Sequence, residues 1–174
     1  MYNQPVNKVE IIKRRLTDYE IDKLICDIKF YPDLTYVSKN HWKRIKTLLV
    51  LEEEHQFAGV CAVYEFRGWI KIGPLVLLND FHGKGYGKLL VSKVLNSYHD
   101  KNIFAASTNP IVKSLLLKLH FANIDSFMSI PFEVKLFLFK QMIEYFNIPL
   151  VSEAIRKRIT TKRGAFSYYI KYSN

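Results

Sequence analysis

A glycine-rich loop between an apolar strand and an amphipathic helix is the most constraining feature of this sequence. The loop consists of His82, Gly83, Lys84, Gly85, Tyr86, Gly87 and Lys88. Glycines allow the backbone to turn so that successive amides point into one concavity, and the N-terminus of the next helix adds positive potential. The loop therefore predicts a cradle for a pyrophosphate, with the charges of Lys84 and Lys88 at its rim.

Two common nucleotide-binding loops do not fit these residues. A Walker loop ends in Gly-Lys followed by Ser or Thr, whose hydroxyl binds magnesium, whereas Leu89 follows Lys88 here. A dinucleotide-binding fingerprint needs a third glycine, and counted from Gly83 that position is Lys88. A plain turn that starts a helix remains the alternative to a ligand-binding loop.

The strand before the loop contains an interruption. Residues 69–78 are mostly apolar, but Gly73 and Pro74 stand in the middle of them. Proline has no amide to donate to a neighbouring strand, so a central strand that contains it must bulge or splay. We therefore expect the sheet to be irregular at Pro74.

Together, the loop and its flanks resemble the GNAT acetyltransferase superfamily. Its signature is Arg/Gln-x-x-Gly-x-Gly/Ala, and residues 82–87 match it everywhere except at the first position, which is His82. Residues 75–77 are similar to the family's strand that pairs with the pantetheine arm, and the interruption suits the splayed strands that make room for it. Downstream, Asn109 opens a segment whose end, residues 117–121, resembles the family's Asn...Lys-Leu-Gly-Phe element.

This resemblance implies an N-acetyltransferase that moves an acetyl group from acetyl-CoA to an acceptor amine by direct attack in a ternary complex. It implies no metal. The backbone amide of Leu77 is the expected donor to the oxyanion. The residues implied to bind the co-substrate are Leu75, Val76, Leu77, His82, Gly83, Lys84, Gly85, Tyr86, Gly87, Lys88 and Asn109.

Three residues depart from the family pattern. His82 replaces Arg or Gln, although a neutral imidazole can still donate one hydrogen bond. His120 replaces the glycine that usually ends the helix, and histidine is among the residues tolerated at positive φ. Leu116 stands where many members carry a tyrosine that protonates the departing thiolate. We assign no catalytic side chain, because the remaining candidates have ordinary surface or packing roles: Glu65, Asp80, Ser107, Tyr168, Tyr169 and Tyr172.

Apolar periodicity predicts a single α/β domain over residues 1–174. Strands are expected at 9–13, 48–51, 57–66, 69–78, 103–108, 122–130 and 165–172, and helices at 17–28, 38–46, 86–98, 109–119 and 132–146. As in the family, we expect a mixed, mostly antiparallel sheet with a splayed central strand and flanking helices. Residues 131–161 would be a helical insertion before the last strand. Because residues 132–146 are apolar around most of the helix, we expect them to cover the core or a partner, which includes a homodimer.

Composition limits the remaining function classes. The chain is 49% hydrophobic, and its polar start and lack of a long apolar stretch predict a cytoplasmic protein with no membrane segment and with Cys26 and Cys61 reduced. A net charge of +10 favours anionic partners, which could be the co-substrate, an acidic amine substrate or nucleic acid. Two alternatives therefore stay open: a GNAT-like acyl-CoA or partner-binding module without catalysis, and a nucleic-acid-directed enzyme, suggested by residues 156–158 but by no recognition motif.

Overall fold

The computed structural model of the chain describes residues 8–29, 31, 37–145 and 166–173. Its strands are β1 (Val9–Lys13), β2 (Thr47–Glu53), β3 (Gln56–Phe66), β4 (Trp69–Leu77), β5 (Asn102–Ser107), β6 (Ala122–Ile124) and β7 (Ser167–Lys171). Its helices are α1 (Asp18–Ile28), α2 (Lys39–Arg44), α3 (Tyr86–Ser97), α4 (Pro110–Lys118) and α5 (Phe132–Tyr145). Short 3-10 turns occupy Asn79–Phe81 and Phe127–Ser129. No helix in the described part is long and apolar enough to cross a membrane.

The strands form one sheet in the order β1-β2-β3-β4-β5-β7-β6. Neighbours run antiparallel except β4 and β5, which are parallel. This arrangement confirms the predicted α/β class with a mixed, mostly antiparallel sheet.

The expected irregularity lies at Gly73 and Pro74. The register between β3 and β4 shifts there, so that Cys61 pairs with Leu75 while Val63 pairs with Ile72. On its other edge, β4 pairs with β5 only from Trp69 to Ile72. Beyond Ile72 the two parallel strands separate, and the space between them is called the wedge below.

Both faces of the sheet are packed. The larger apolar cluster includes buried residues of α1, α2, α3 and α4, among them Leu24, Trp42, Leu90 and Leu116. A smaller cluster on β4, β5, β7 and α5 consists of Trp69, Phe104, Ile130, Val134 and Ile170. Side chains of β7 alternate between the two faces, because Tyr169 belongs to the larger cluster whereas Tyr168 and Ile170 pack in the smaller one.

One local prediction was wrong. The strand expected over residues 122–130 ends at Ile124, because the Ser126 hydroxyl accepts a hydrogen bond from the Met128 amide and starts a 3-10 turn. On α3 the core contacts come from Leu90, Val91 and Val94, whereas Leu89 is 46% exposed.

Helix α5 covers part of the core and leaves an apolar stripe open. Val134 is fully buried, and the Phe137 ring stacks on Phe66 with centroids 4.0 Å apart. On the other side of the helix Phe132, Leu136, Phe139, Met142 and Ile143 are exposed. The rest of the predicted insertion, with the basic residues 156–158, Lys162 and Arg163, lies outside the described residues. That a partner, such as a second copy of the chain, covers this stripe stays a prediction.

We expect Val134→Ala to lower the free energy of unfolding by roughly 2 kcal/mol, since it removes fully buried methyl groups. Phe139→Ala should change it by less than ~0.5 kcal/mol in dilute protein. Urea unfolding of both variants tests this. A larger cost for Phe139→Ala that grows with protein concentration would instead show that a second copy covers this helix.

Candidate functional site

The glycine loop forms an exposed cradle at the start of α3. Gly83 and Gly85 have φ angles of +78° and +80°, which side chains with a Cβ rarely adopt. Gly85 is the N-cap of α3, and no side chain of the described residues caps this helix end. Because the first amides of a helix have no partner within it, the cradle offers several donors and the positive end of the helix dipole to an anion.

Buried Glu53 at the end of β2 anchors this loop. Its carboxylate accepts a hydrogen bond from the Tyr86 hydroxyl at 2.5 Å and forms an ion pair with the Lys84 ammonium at 2.7 Å. Burial and the Glu53 carboxylate raise the pKa of Tyr86 to about 12. The Lys84 charge, predicted at the rim of the cradle, is therefore held by Glu53. In the described structure, the exposed Lys88 ammonium forms no ion pair and remains available to a ligand.

His82 also bonds within the protein. Its Nε2 lies 3.0 Å from the carbonyl oxygen of Leu77, so this nitrogen must carry the hydrogen and donate it. The ring stacks on Tyr31, whose hydroxyl lies 3.1 Å from the same oxygen. This N–H therefore holds the loop against the end of β4 rather than pointing to a ligand.

The outer edge of β4 presents two amides to the wedge. The Leu77 carbonyl contacts His82 and Tyr31, whereas the next amide, that of Leu78, donates to Ala58 of β3. In an extended strand the N–H and C=O of one residue point to the same edge, and successive residues alternate. The amides of Leu77 and Leu75 therefore face away from β3, and that of Val76 faces β3.

Asn109 lies across the wedge, just beyond the end of β5. Its side-chain oxygen accepts hydrogen bonds from the backbone amides of Ile111 at 2.9 Å and Val112 at 3.3 Å, so Asn109 is the N-cap of α4. Its own amide donates to the Ser107 hydroxyl at 3.1 Å. The structure thus places Asn109 beside the wedge, with its side-chain oxygen used by α4.

The departures from the family pattern have structural roles. Leu116 is 1% exposed and belongs to the larger apolar cluster. His120 has a φ of +62° and ends the helical segment, as expected of a residue that replaces glycine. The candidate carboxylates Glu65 and Asp80 are exposed on the surface. Tyr168 and Tyr169 pack in the two cores.

Sequence reasoning missed Lys71, which lies in the last paired part of β4. It is opposite Tyr64 on β3 and Phe104 on β5. Its ammonium donates to the carbonyl of Gly73 at 3.3 Å, toward the wedge, and lies 5.0 Å from the centre of the Tyr64 ring. Burial lowers the pKa of Lys71 to about 8. A single lysine in an otherwise apolar strand was the available signal.

A sequence profile of the acetyltransferase (GNAT) family matches residues 14–121, which include the glycine loop and the wedge. The chain belongs to this family. No curated protein matches the sequence.

Solved structures of the GNAT fold confirm the architecture. The N-acetylglutamate synthase from Neisseria gonorrhoeae, complexed with coenzyme A and N-acetyl-glutamate, matches with a TM-score of 0.66 and 16% identity over 96% of this chain, but this chain corresponds to only 35% of that protein. The ribosomal-protein-S18-alanine N-acetyltransferase from Escherichia coli has a TM-score of 0.62 and 9% identity, and the match covers 96% of this chain and 95% of that one. A Bacillus subtilis acetyltransferase in complex with CoA has a TM-score of 0.61 and 15% identity, and the match covers 95% of this chain and 99% of that one. At these identities the likeness establishes the fold alone.

The two loop lysines should respond differently to neutralisation. Lys88→Met should weaken coenzyme A binding, more so at low salt, without changing the melting temperature, because Lys88 has no ion pair in the described structure. Lys84→Met should lower the melting temperature, because it removes the Lys84 ion pair from the buried Glu53 carboxylate. Calorimetric titration and thermal melts of both variants measure this. The reverse pattern would mean that Lys84 leaves Glu53 for the ligand.

Lys71 should make stability depend on pH. Its folded-state pKa of about 8 lies below the ordinary 10.5, so between these values the unfolded chain binds more protons and stability rises with pH. Lys71→Met should therefore raise the melting temperature at pH 7, and its advantage should shrink toward pH 10. Lys93→Met, at an exposed site on α3, is the control and should show no such trend. A constant difference between Lys71→Met and wild type at all pH values would contradict this.

Proposed function

We propose that this GNAT protein is an N-acetyltransferase that transfers the acetyl group of acetyl-CoA directly to an acceptor amine in a ternary complex. The observation that carries this proposal is the continuity of one binding path. The path begins at the glycine cradle on α3 and continues along the open edge of β4 to the point where β4 and β5 separate at Ile72. The cradle would suit a pyrophosphate, and the open edge of β4 would suit a long polar arm attached to it.

The co-substrate would bind with its pyrophosphate on the amides of residues 83–87 and near the Lys88 ammonium, since the Lys88 amide donates to the Gly85 carbonyl at 3.0 Å. Its pantetheine arm would extend along β4 and take up the amides of Leu77 and Leu75, much as a neighbouring strand would. Asn109 would flank the arm from the β5 side. Proteins of the same fold have been crystallised with coenzyme A, which supports acetyl-CoA as the co-substrate.

The acetyl end of the arm would then reach the narrow end of the wedge. Leu75 is nearer to this end than Leu77, so we assign the oxyanion contact to the Leu75 amide in preference to the Leu77 amide first expected. An amine with a reference pKa near 10.4 must lose a proton before it attacks the thioester carbonyl. The leaving thiol has a reference pKa near 8.5, so at neutral pH a protonating tyrosine is not essential.

A non-catalytic acyl-CoA-binding module is the second candidate. It is favoured by Leu116, whose buried apolar side chain stands where many family members have the acid. Incubation with acetyl-CoA and a panel of amines, amino acids and peptides separates the two, since only an enzyme releases free thiol in proportion to acetylated product. Saturable coenzyme A binding without thiol release on any acceptor would favour the module.

Gly85→Asp should abolish the rise in melting temperature that acetyl-CoA produces, because it places a carboxylate where the pyrophosphate binds. Gly68→Asp is a matched control. Gly68 has φ +79° against +80° for Gly85, and a Cβ at either position meets nothing within 4 Å. The two variants should therefore suffer similar backbone strain, and only Gly85→Asp should lose the ligand effect. Equal ligand-induced shifts in both would contradict the loop assignment.

A further inference from the structure

The charge of Lys71 has no counter-ion in the described structure. Within the part of the chain that the structure describes, its ammonium donates one hydrogen bond of 3.3 Å to the Gly73 carbonyl and lies over the face of the Tyr64 ring. An ammonium group has three donors, and a partly buried cation is normally paired with a carboxylate. Lys71 therefore retains unused donors at the narrow end of the wedge.

Among the described residues, the two titratable groups that interact electrostatically with Lys71 carry no negative charge at pH 7. On α2, burial and the charges of Lys71 and Arg44 lower the pKa of His41 to about 4, so its ring, 3.3 Å from the Tyr64 hydroxyl, is neutral at pH 7. On β3, burial raises the pKa of Cys61 to about 12, so its thiol is also neutral. The local field is positive, and an anion placed there would be stabilised.

Aromatic side chains of the described residues also lie near Lys71. Phe137 of α5 lies 5.9 Å from the Tyr64 ring and stacks on Phe66, so these three rings form one surface beside Lys71. A single positive charge bordered by rings matches a singly charged carboxylate better than a phosphate dianion, which is usually bound by arginine or by several donors together.

We propose that Lys71 binds a carboxylate of the acceptor, and that the acceptor is an α-amino acid whose amine is acetylated. This inference rests on the proposed function. A carboxylate held at Lys71 would place the adjacent amine at the narrow end of the wedge, next to the expected thioester. Lys71 would then be a specificity-determining residue rather than the group that removes the proton.

The test compares L-amino acids with their α-carboxamides, which keep the amine and side chain but lack the negative charge. Calorimetric titration into the complex with coenzyme A should show that wild type binds at least one free acid more tightly than its amide. Lys71→Gln should weaken binding of that acid about 10-fold to 100-fold, the range expected for a charged hydrogen bond. Binding of the amide should change less than about 3-fold. Lys71→Arg should retain most of the preference for the acid over its amide. Lys93→Gln, which removes an exposed charge elsewhere, should retain all of this preference.

Steady-state acetylation gives a second readout. The α-amine of a carboxamide is a weaker base than that of the free acid, so the kinetic constants of each acceptor are compared only between protein variants. Lys71→Gln should raise KM for the acid and leave kcat for the acid nearly unchanged. With the amide as acceptor, both KM and kcat should stay close to the wild-type values. Equal loss of kcat for acid and amide in both Lys71 variants would make Lys71 a proton acceptor and overturn the proposal. Equal wild-type affinity for acid and amide would overturn it even if some other amine is acetylated. Normal thermal stabilisation of Lys71→Gln by acetyl-CoA verifies that its fold and cradle are intact.

Discussion

The separation of β4 from β5 is the constraint on which the rest of the molecule depends. Parallel strands normally continue to exchange hydrogen bonds, but Pro74 has no amide to donate, and the extra residue at Gly73 and Pro74 shifts the register with β3. The backbone amides of Leu75 and Leu77 are consequently left facing a gap. A defect in the sheet thus becomes a row of donors with a fixed spacing.

Other parts of the fold hold this defect in place. Below it, the four-residue parallel ladder from Trp69 to Ile72 is packed on both faces, by the larger cluster and by the aromatic residues of the smaller one. Above it, Tyr31 and His82 attach the Leu77 carbonyl to α1 and to the loop. Arg14 joins Glu20 of α1 to Glu52 of β2, which fixes α1 against the same half of the sheet. The wedge is therefore bounded by elements that packing, hydrogen bonds and ion pairs attach to the rest of the sheet.

Features encoded by neighbouring residues could be predicted from the sequence. The capping box of Thr17 and Glu20, the Asn109 cap with Pro110, the loop glycines and the alternation of β7 all depend on residues a few positions apart. The partners of the functional side chains could not be predicted in this way. Glu53 and Lys84 are separated by 31 positions, and Lys71 meets the Tyr64 ring through the pairing of β3 with β4. Only the tertiary fold brings such groups together.

The attachment of the loop to Glu53 has a consequence for ligand entry. A loop that must fold around its ligand loses conformational entropy at the moment of binding, and association then waits for the loop to reach the right shape. Here the Tyr86 hydroxyl and the Lys84 ammonium already fix the loop to β2 on either side of Gly85. The cradle is preorganised, so capture of an anion by this positively charged protein would be governed by diffusion and electrostatic steering.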